Sequence, residues 1–268
     1  MANKQRPADR RASPVMAPWC IRLTVLVGLG MIGGAAPETT ARSAKEASPM
    51  DEPLALIAQA RKAYAEVQDY SCTLIKRERL DGQAKPTESV IQMAVRARPF
   101  SVHLRWREPR ELIGQEACYV EGRHNGRMRV RAAGALGALG FVTLDPNDPR
   151  ARRNSRHAIT EAGIGNLIER YAGHWEEERQ LNQTVVHLAT YEYNSRRCVR
   201  VETVHPKNDG RSTFYRNVVY FDKETYLPVR VECYDWPRYD GDKGEVVEVY
   251  SYANLRINIG LDDAHFNK

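Results

Sequence analysis

The stretch SVHLRW at residues 101–106 decides the fold. Val102, Leu104 and Trp106 alternate with Ser101, His103 and Arg105, and a period of two puts the three apolar side chains on one face of a strand. One apolar face and one wetted face mark an antiparallel sheet, not a parallel sheet buried on both sides. The same period runs outward in both directions. Upstream, Tyr70, Cys72 and Leu74 share a face, and Lys76 and Glu78 read as turning away into solvent. Asp81-Gly82 signals a hairpin that returns through Ile91, Met93 and Val95. Downstream, Ala117–Val120 turns through Glu121–Gly126 and comes back at Met128–Arg131. After an interruption, strands resume at Val185–Tyr193, Cys198–His205, Phe214–Asp222, Val229–Tyr234 and Val246–Tyr252, with a further piece at Leu255–Ile259.

Two segments have helical spacing instead. Leu54, Ile57, Ala58, Tyr64, Ala65 and Val67 recur at three- and four-residue intervals after Asp51 and Pro53. Between the strand groups, residues 132–144 (AAGALGALGFVTL) read as a small apolar loop. Asp148-Pro149 then reads as an N-cap followed by a first-turn proline. Helix is expected from there to about Gln180, with Thr160 capping its second part and Ile164, Leu167, Ile168 and Tyr171 on one face. Helix, strands, helical insertion and strands form the segregated order of an α+β domain, without the βαβ alternation of a nucleotide-binding sheet.

The domain is expected to occupy residues 51–268. Residues 1–36 read as an export signal or short anchor, since basic residues precede a 14-residue apolar run, Leu23–Ala36, that is too short to span a bilayer. Residues 37–50 read as a polar linker. The formal charge of +6 sits largely in this leader. Six basic and two acidic groups fall in residues 1–44, leaving 34 basic against 32 acidic groups beyond them. That balance gives the body no field for nucleic acid. Past the leader stand Cys72, Cys118, Cys198 and Cys233. In an exported protein they permit two disulfides in any of three pairings; equally, they fit as small apolar residues on strands. No two form a C-x-x-C pair, so a zinc knuckle is not indicated.

The usual catalytic signatures are missing. The chain has no G-x-S-x-G, no G-x-x-x-x-G-K-[ST] and no H-E-x-x-H. His174 and Glu178 have the i, i+4 spacing of a ligand pair, but no third group is in view, and with Glu176 and Glu177 they read as a solvated acidic face. No catalytic residue, metal or cofactor is assigned.

The segments YSCTLIKRERLDG, RPFSVHLRW, YVEGRHNGRM, TLDPNDP, HAITEAGIGNL, RVETVHP, FDKETYLPVRVECYDWP and YSYANLRINIGLDDAHF resemble, in order and spacing, a bacterial family of domains of unknown function, the one numbered 1571. The resemblance covers residues 52–268. More distantly, the opening helix and strand, the late hairpin around Asp222 and Leu227-Pro228, and the spacing from Tyr252 to Phe266 are similar to LolA-type lipoprotein carriers and the stress sensor RseB. That resemblance implies a curved, half-open antiparallel β-barrel-like sheet with an N-terminal helix and a central helical insertion. It further implies an apolar hollow that holds an acyl chain, in a protein of the periplasm or cell envelope.

On this reading Val102, Leu104, Trp106, Leu136, Leu139 and Phe141 line the hollow, the competing assignment being ordinary core. Arg150, Arg152, Arg153 and Arg156 are placed to meet an anionic headgroup. The alternative for them is a solvated face balanced by Glu161, Glu169 and Glu176–Glu178. The expected partner is a lipid or lipoprotein, met in peripheral or transient contact with a membrane, and not nucleic acid. A structural or protein-interaction module of the envelope is the second reading and an unrecognised hydrolase the third.

Overall fold

A computed structural model describes residues 47–268. The leader assignments therefore lie outside the described residues. Helix α1 (Asp51–Ala65) leads into a meander of β1 (Asp69–Glu78), β2 (Thr87–Arg96), β3 (Ser101–Glu108), β4 (Glu116–Val120), β5 (Met128–Arg131) and β6 (Val142–Leu144). Helix α2 (Ile164–Leu181) then carries the chain to a second meander: β7 (Val185–Tyr193), β8 (Arg196–Val204), β9 (Arg216–Asp222), β10 (Pro228–Tyr234) and β11 (Val246–Ile257). A short α3 (Asp263–Phe266) follows.

The eleven strands make one antiparallel sheet in the order β6-β5-β4-β3-β2-β1-β11-β10-β9-β8-β7. Every neighbouring pair is consecutive in sequence except β1 and β11, which join the two meanders, and β6 and β7 remain as open edges. Local hairpins thus build each half, and a single long-range pairing makes the sheet whole.

One face of the sheet is covered by the helices. Ile164, Leu167, Ile168, Tyr171 and Trp175 of α2 are buried on it, as the helical spacing requires. Helix α1 packs beside α2, where a Cβ on Gly165 would lie 2.4 Å from the Tyr64 ring; only glycine admits that approach. Gly163, which opens α2, has a φ of 96° and supplies no side-chain cap. The buried Tyr70 hydroxyl of β1 accepts the Ile164 N–H at 2.8 Å in its place. The closing Tyr252–Phe266 stretch also has a mechanical explanation. Asn258 accepts from the Gln68 N–H, the Asp69 carboxylate accepts from the Ile259 and Gly260 N–H groups, and Phe266 is buried against Cys118 and Val120.

Several expectations are corrected. Lys76 and Glu78 are buried, 6% and 1% exposed, because positions 70, 72, 74, 76 and 78 all share one strand face. The loop at 132–144 holds a 3-10 turn, Gly134–Leu139, and the edge strand β6. No helix starts at Asp148-Pro149; the Asp148 carboxylate instead accepts the Arg150 N–H and closes a turn. Thr160 does not cap α2, which begins at Ile164. Val246–Ile257 is one strand, not two pieces.

The four cysteines are free buried thiols, on β1, β4, β8 and β10, so the apolar alternative is the one observed. No two of these strands are neighbours. Strands two places apart are separated by about 9–10 Å, more than a disulfide spans. Burial raises the thiol pKa to about 12 at Cys72 and about 11 at Cys118 and Cys198, which leaves them unreactive.

Candidate functional site: a cavity between sheet and insertion

The strand register assembles an apolar floor. Tyr252, Leu74, Ile91 and Trp106 stand opposite one another across β11, β1, β2 and β3, while Leu104, Ala117 and Val130 do the same across β3, β4 and β5. Cross-strand partners project to the same face, so the two ladders form one continuous surface. The chain between β6 and α2 arches over it, contributing Ala151, Ala158 and Ile159, with Leu144 from the end of β6 and Leu167 from α2 itself. The floor and this cover enclose a cavity of about 530 Å³.

The residues of the sequence-derived lining fall in different places. Leu104, Trp106 and Leu136 border the cavity. Val102 is fully buried in the core, opposite Val95 and Tyr119 in register, and does not border the cavity. Leu139 is 81% exposed and lies off the cavity. Phe141 also lies outside it, its ring 5.8 and 5.4 Å from the Arg129 and Arg131 guanidinium carbons. Missing from that expectation were Leu74, Ile91, Ala117, Met128, Tyr250 and Tyr252. Their alternation was visible, but the cross-strand register that aligns them was not.

One side of the cavity is polar. Lys76 Nζ meets Glu78 at 3.0 Å and donates to the Asn154 carbonyl at 2.7 Å, fastening the cover to β1. Tyr250 donates its hydroxyl to Glu78, which also accepts the Arg156 N–H at 3.3 Å. Glu248 accepts from Arg156 Nε at 3.1 Å and His157 Nε2 at 3.0 Å. His157 Nδ1 lies 3.2 Å from Glu161, which also receives Arg170 at 3.3 Å.

The four arginines separate on this frame. Arg150 and Arg153 border the cavity and are exposed; Arg150 pairs with Asp148 at 2.7 Å. Arg152 is exposed and off the cavity. Arg156 is a partly buried structural residue committed to Glu248 and to the Arg79 carbonyl. Arg170 and His157 also stand at the cavity wall.

Glu248 has a consequence for acid stability. Burial alone raises its pKa, but the hydrogen bond from His157 and the charges of His157, Arg156 and Arg170 outweigh that and hold it below 4.5. A lowered folded pKa stabilises the native state at pH above about 4.5, and the contribution is lost as pH falls through the folded value. The resistance of the wild type to urea is therefore expected to fall as the pH drops below that value. Glu248→Gln is expected to be less stable at pH 7 and to show a shallower acid slope; an unchanged slope refutes the assignment.

Sequence reasoning also left His174 and Glu178 on a solvated face. Glu178 is instead 2% exposed, and His205, at the end of β8, meets it at 2.9 Å. Among the described residues, no helix is long and apolar enough to cross a membrane.

A comparison with curated proteins finds no match. Solved structures with a similar arrangement include an uncharacterized conserved protein from Thermus thermophilus. It is 9% identical, with 81% of this chain and 93% of that chain covered and a TM-score of 0.47. The lipoprotein LppX of Mycobacterium tuberculosis is 12% identical, with 79% and 98% covered and a TM-score of 0.44. A LolA superfamily protein from Nitrosomonas europaea is 12% identical, with 80% and 96% covered and a TM-score of 0.34. Likenesses this distant transfer no ligand or activity. At the level of sequence family the match is direct: residues 67–268 fit the model described as "Protein of unknown function (DUF1571)", and the chain belongs to that family.

Proposed function

We propose that this protein is exported to the cell envelope and there binds a hydrophobic ligand, a lipid or the acyl chain of a lipoprotein, without chemically altering it. The observation that carries this reading is the cavity of about 530 Å³ on an apolar floor. Its volume is that of a small-molecule site, and burial of apolar ligand surface at about 25 cal/mol per Å² drives the binding. Arg150, Arg153 and Arg170 at the wall favour a ligand with an anionic end. Export rests on the basic and apolar pattern of residues 1–36.

The test is mass spectrometry of the gently purified protein under native conditions, followed by organic extraction. The expected result is a retained acyl-containing molecule. Ala117→Trp, which fills the floor between Leu104 and Val130, is expected to release it while the protein keeps its cooperative unfolding. An empty wild-type cavity, or a folded Ala117→Trp variant that still carries the ligand, refutes the proposal.

An envelope interaction module is the second reading. It is favoured by Leu136 and Leu139 on the 3-10 turn and Val142 at the start of edge strand β6, all more than half exposed. Under the first reading these side chains offer a surface for transient contact with a membrane.

A further inference from the structure

On the second half of the sheet, away from the cavity, three side chains converge in a way that the binding reading does not use. Helix α2 places His174 and Glu178 one turn apart on one face. His205 follows the last residue of β8, with its backbone N–H bonded to the Tyr215 carbonyl at 2.8 Å. Its ring Nδ1 lies 2.7 Å from the Phe214 carbonyl. A carbonyl only accepts, so Nδ1 carries the hydrogen, and Nε2 is the nitrogen aimed at Glu178.

Both imidazoles converge on one carboxylate oxygen. His174 Nε2 is 2.8 Å and His205 Nε2 2.9 Å from Glu178 Oε1. The other oxygen, Oε2, is buried and has no hydrogen-bond partner among the described residues. The Glu178 and His205 side chains are 3% and 7% exposed, whereas His174 is 32% exposed and opens the cluster to solvent. All three donor atoms lie within 4.8 Å of one another.

We propose that His174, Glu178 and His205 form a binding site for a divalent transition-metal ion of the zinc class. Two imidazoles and one carboxylate suit zinc and its first-row neighbours; magnesium and calcium prefer all-oxygen shells. The backbone carbonyl behind His205 provides the outer contact that fixes a ligating tautomer. The donor atoms need to spread by a few tenths of an ångström to receive an ion at about 2.0–2.2 Å from each. Solvent on the His174 side supplies water for the remaining position. The unpartnered Oε2 belongs to the same carboxylate and gives the ion a second oxygen. Bound there, the ion ties α2 to the end of β8 in the second meander.

The test uses the untagged full chain, stripped with a chelator and dialysed against zinc or cobalt. The expected result is one equivalent of metal per chain, a higher melting temperature with zinc, and the visible absorption of low-coordinate cobalt. His174→Ala, at the exposed ligand, is expected to keep the fold and weaken zinc binding by about 100-fold or more. His205→Ala is expected to lose the cobalt spectrum. Absence of metal after dialysis, with a melting temperature indifferent to zinc and chelator, overturns the proposal. So does a folded His174→Ala protein that binds zinc as the wild type does. Neither result depends on whether the cavity carries a ligand.

Discussion

Trp175→Ala is expected to lower the free energy of unfolding by about 3–5 kcal/mol, a large part of the stability of a domain this size. Trp175 is fully buried on α2. Its ring centroid is 5.3 Å from that of Tyr171 and 6.2 Å from that of Phe221 on β9. Truncation removes these contacts and opens a void between the helix and the second meander, where the backbone on both sides is held by secondary structure and cannot collapse fully. The indole N–H has no partner among the described residues. Trp175→Phe should therefore cost much less, since it keeps most of the ring contact and removes an unpaired buried donor. Urea unfolding of the full chain measures both. A cost below about 1 kcal/mol for Trp175→Ala, or equal costs for the two variants, contradicts the packing described.

Lys76→Met is expected to cost about 3 kcal/mol, because it leaves the Glu78 carboxylate buried without its cation. The Asn154 carbonyl loses its donor at the same time, so the cover over the cavity loosens from β1. Adding Glu78→Gln should restore most of the loss. The amide oxygen of the glutamine accepts from the Arg156 N–H, its NH2 donates to the Tyr250 hydroxyl, which can turn to accept, and no charge is left stranded. The double variant thus comes out more stable than Lys76→Met alone, a departure from additivity that marks direct contact. If the two substitutions simply add, the residues do not form the pair described.

How much of the site was legible follows from the same residues. The strands around SVHLRW, the hairpins and the apolar face of α2 were readable, because alternation and helical spacing are local properties. Lys76 and Glu78 were misread against that same period, charge being taken as a sign of exposure. Their burial depends on Tyr250, Asn154 and Arg156, which lie 78 or more residues away from the groups they bond. Leu104 and Val102 are indistinguishable in sequence, and one borders the cavity while the other packs in the core away from it. The difference lies in what covers them.

By itself, the sequence determined the family, the two helices, the antiparallel class and the apolar faces, all of which follow from residue type and spacing along a short length of chain. The tertiary structure decided the rest: the β1–β11 pairing, the registers that line up the cavity floor, the cations matched to Glu78 and Glu248, and the arrival of His205 beside His174 and Glu178. Each of these joins atoms from elements apart in sequence. Hydrophobic burial draws such elements together without direction, and only the packed geometry specifies which polar groups then meet.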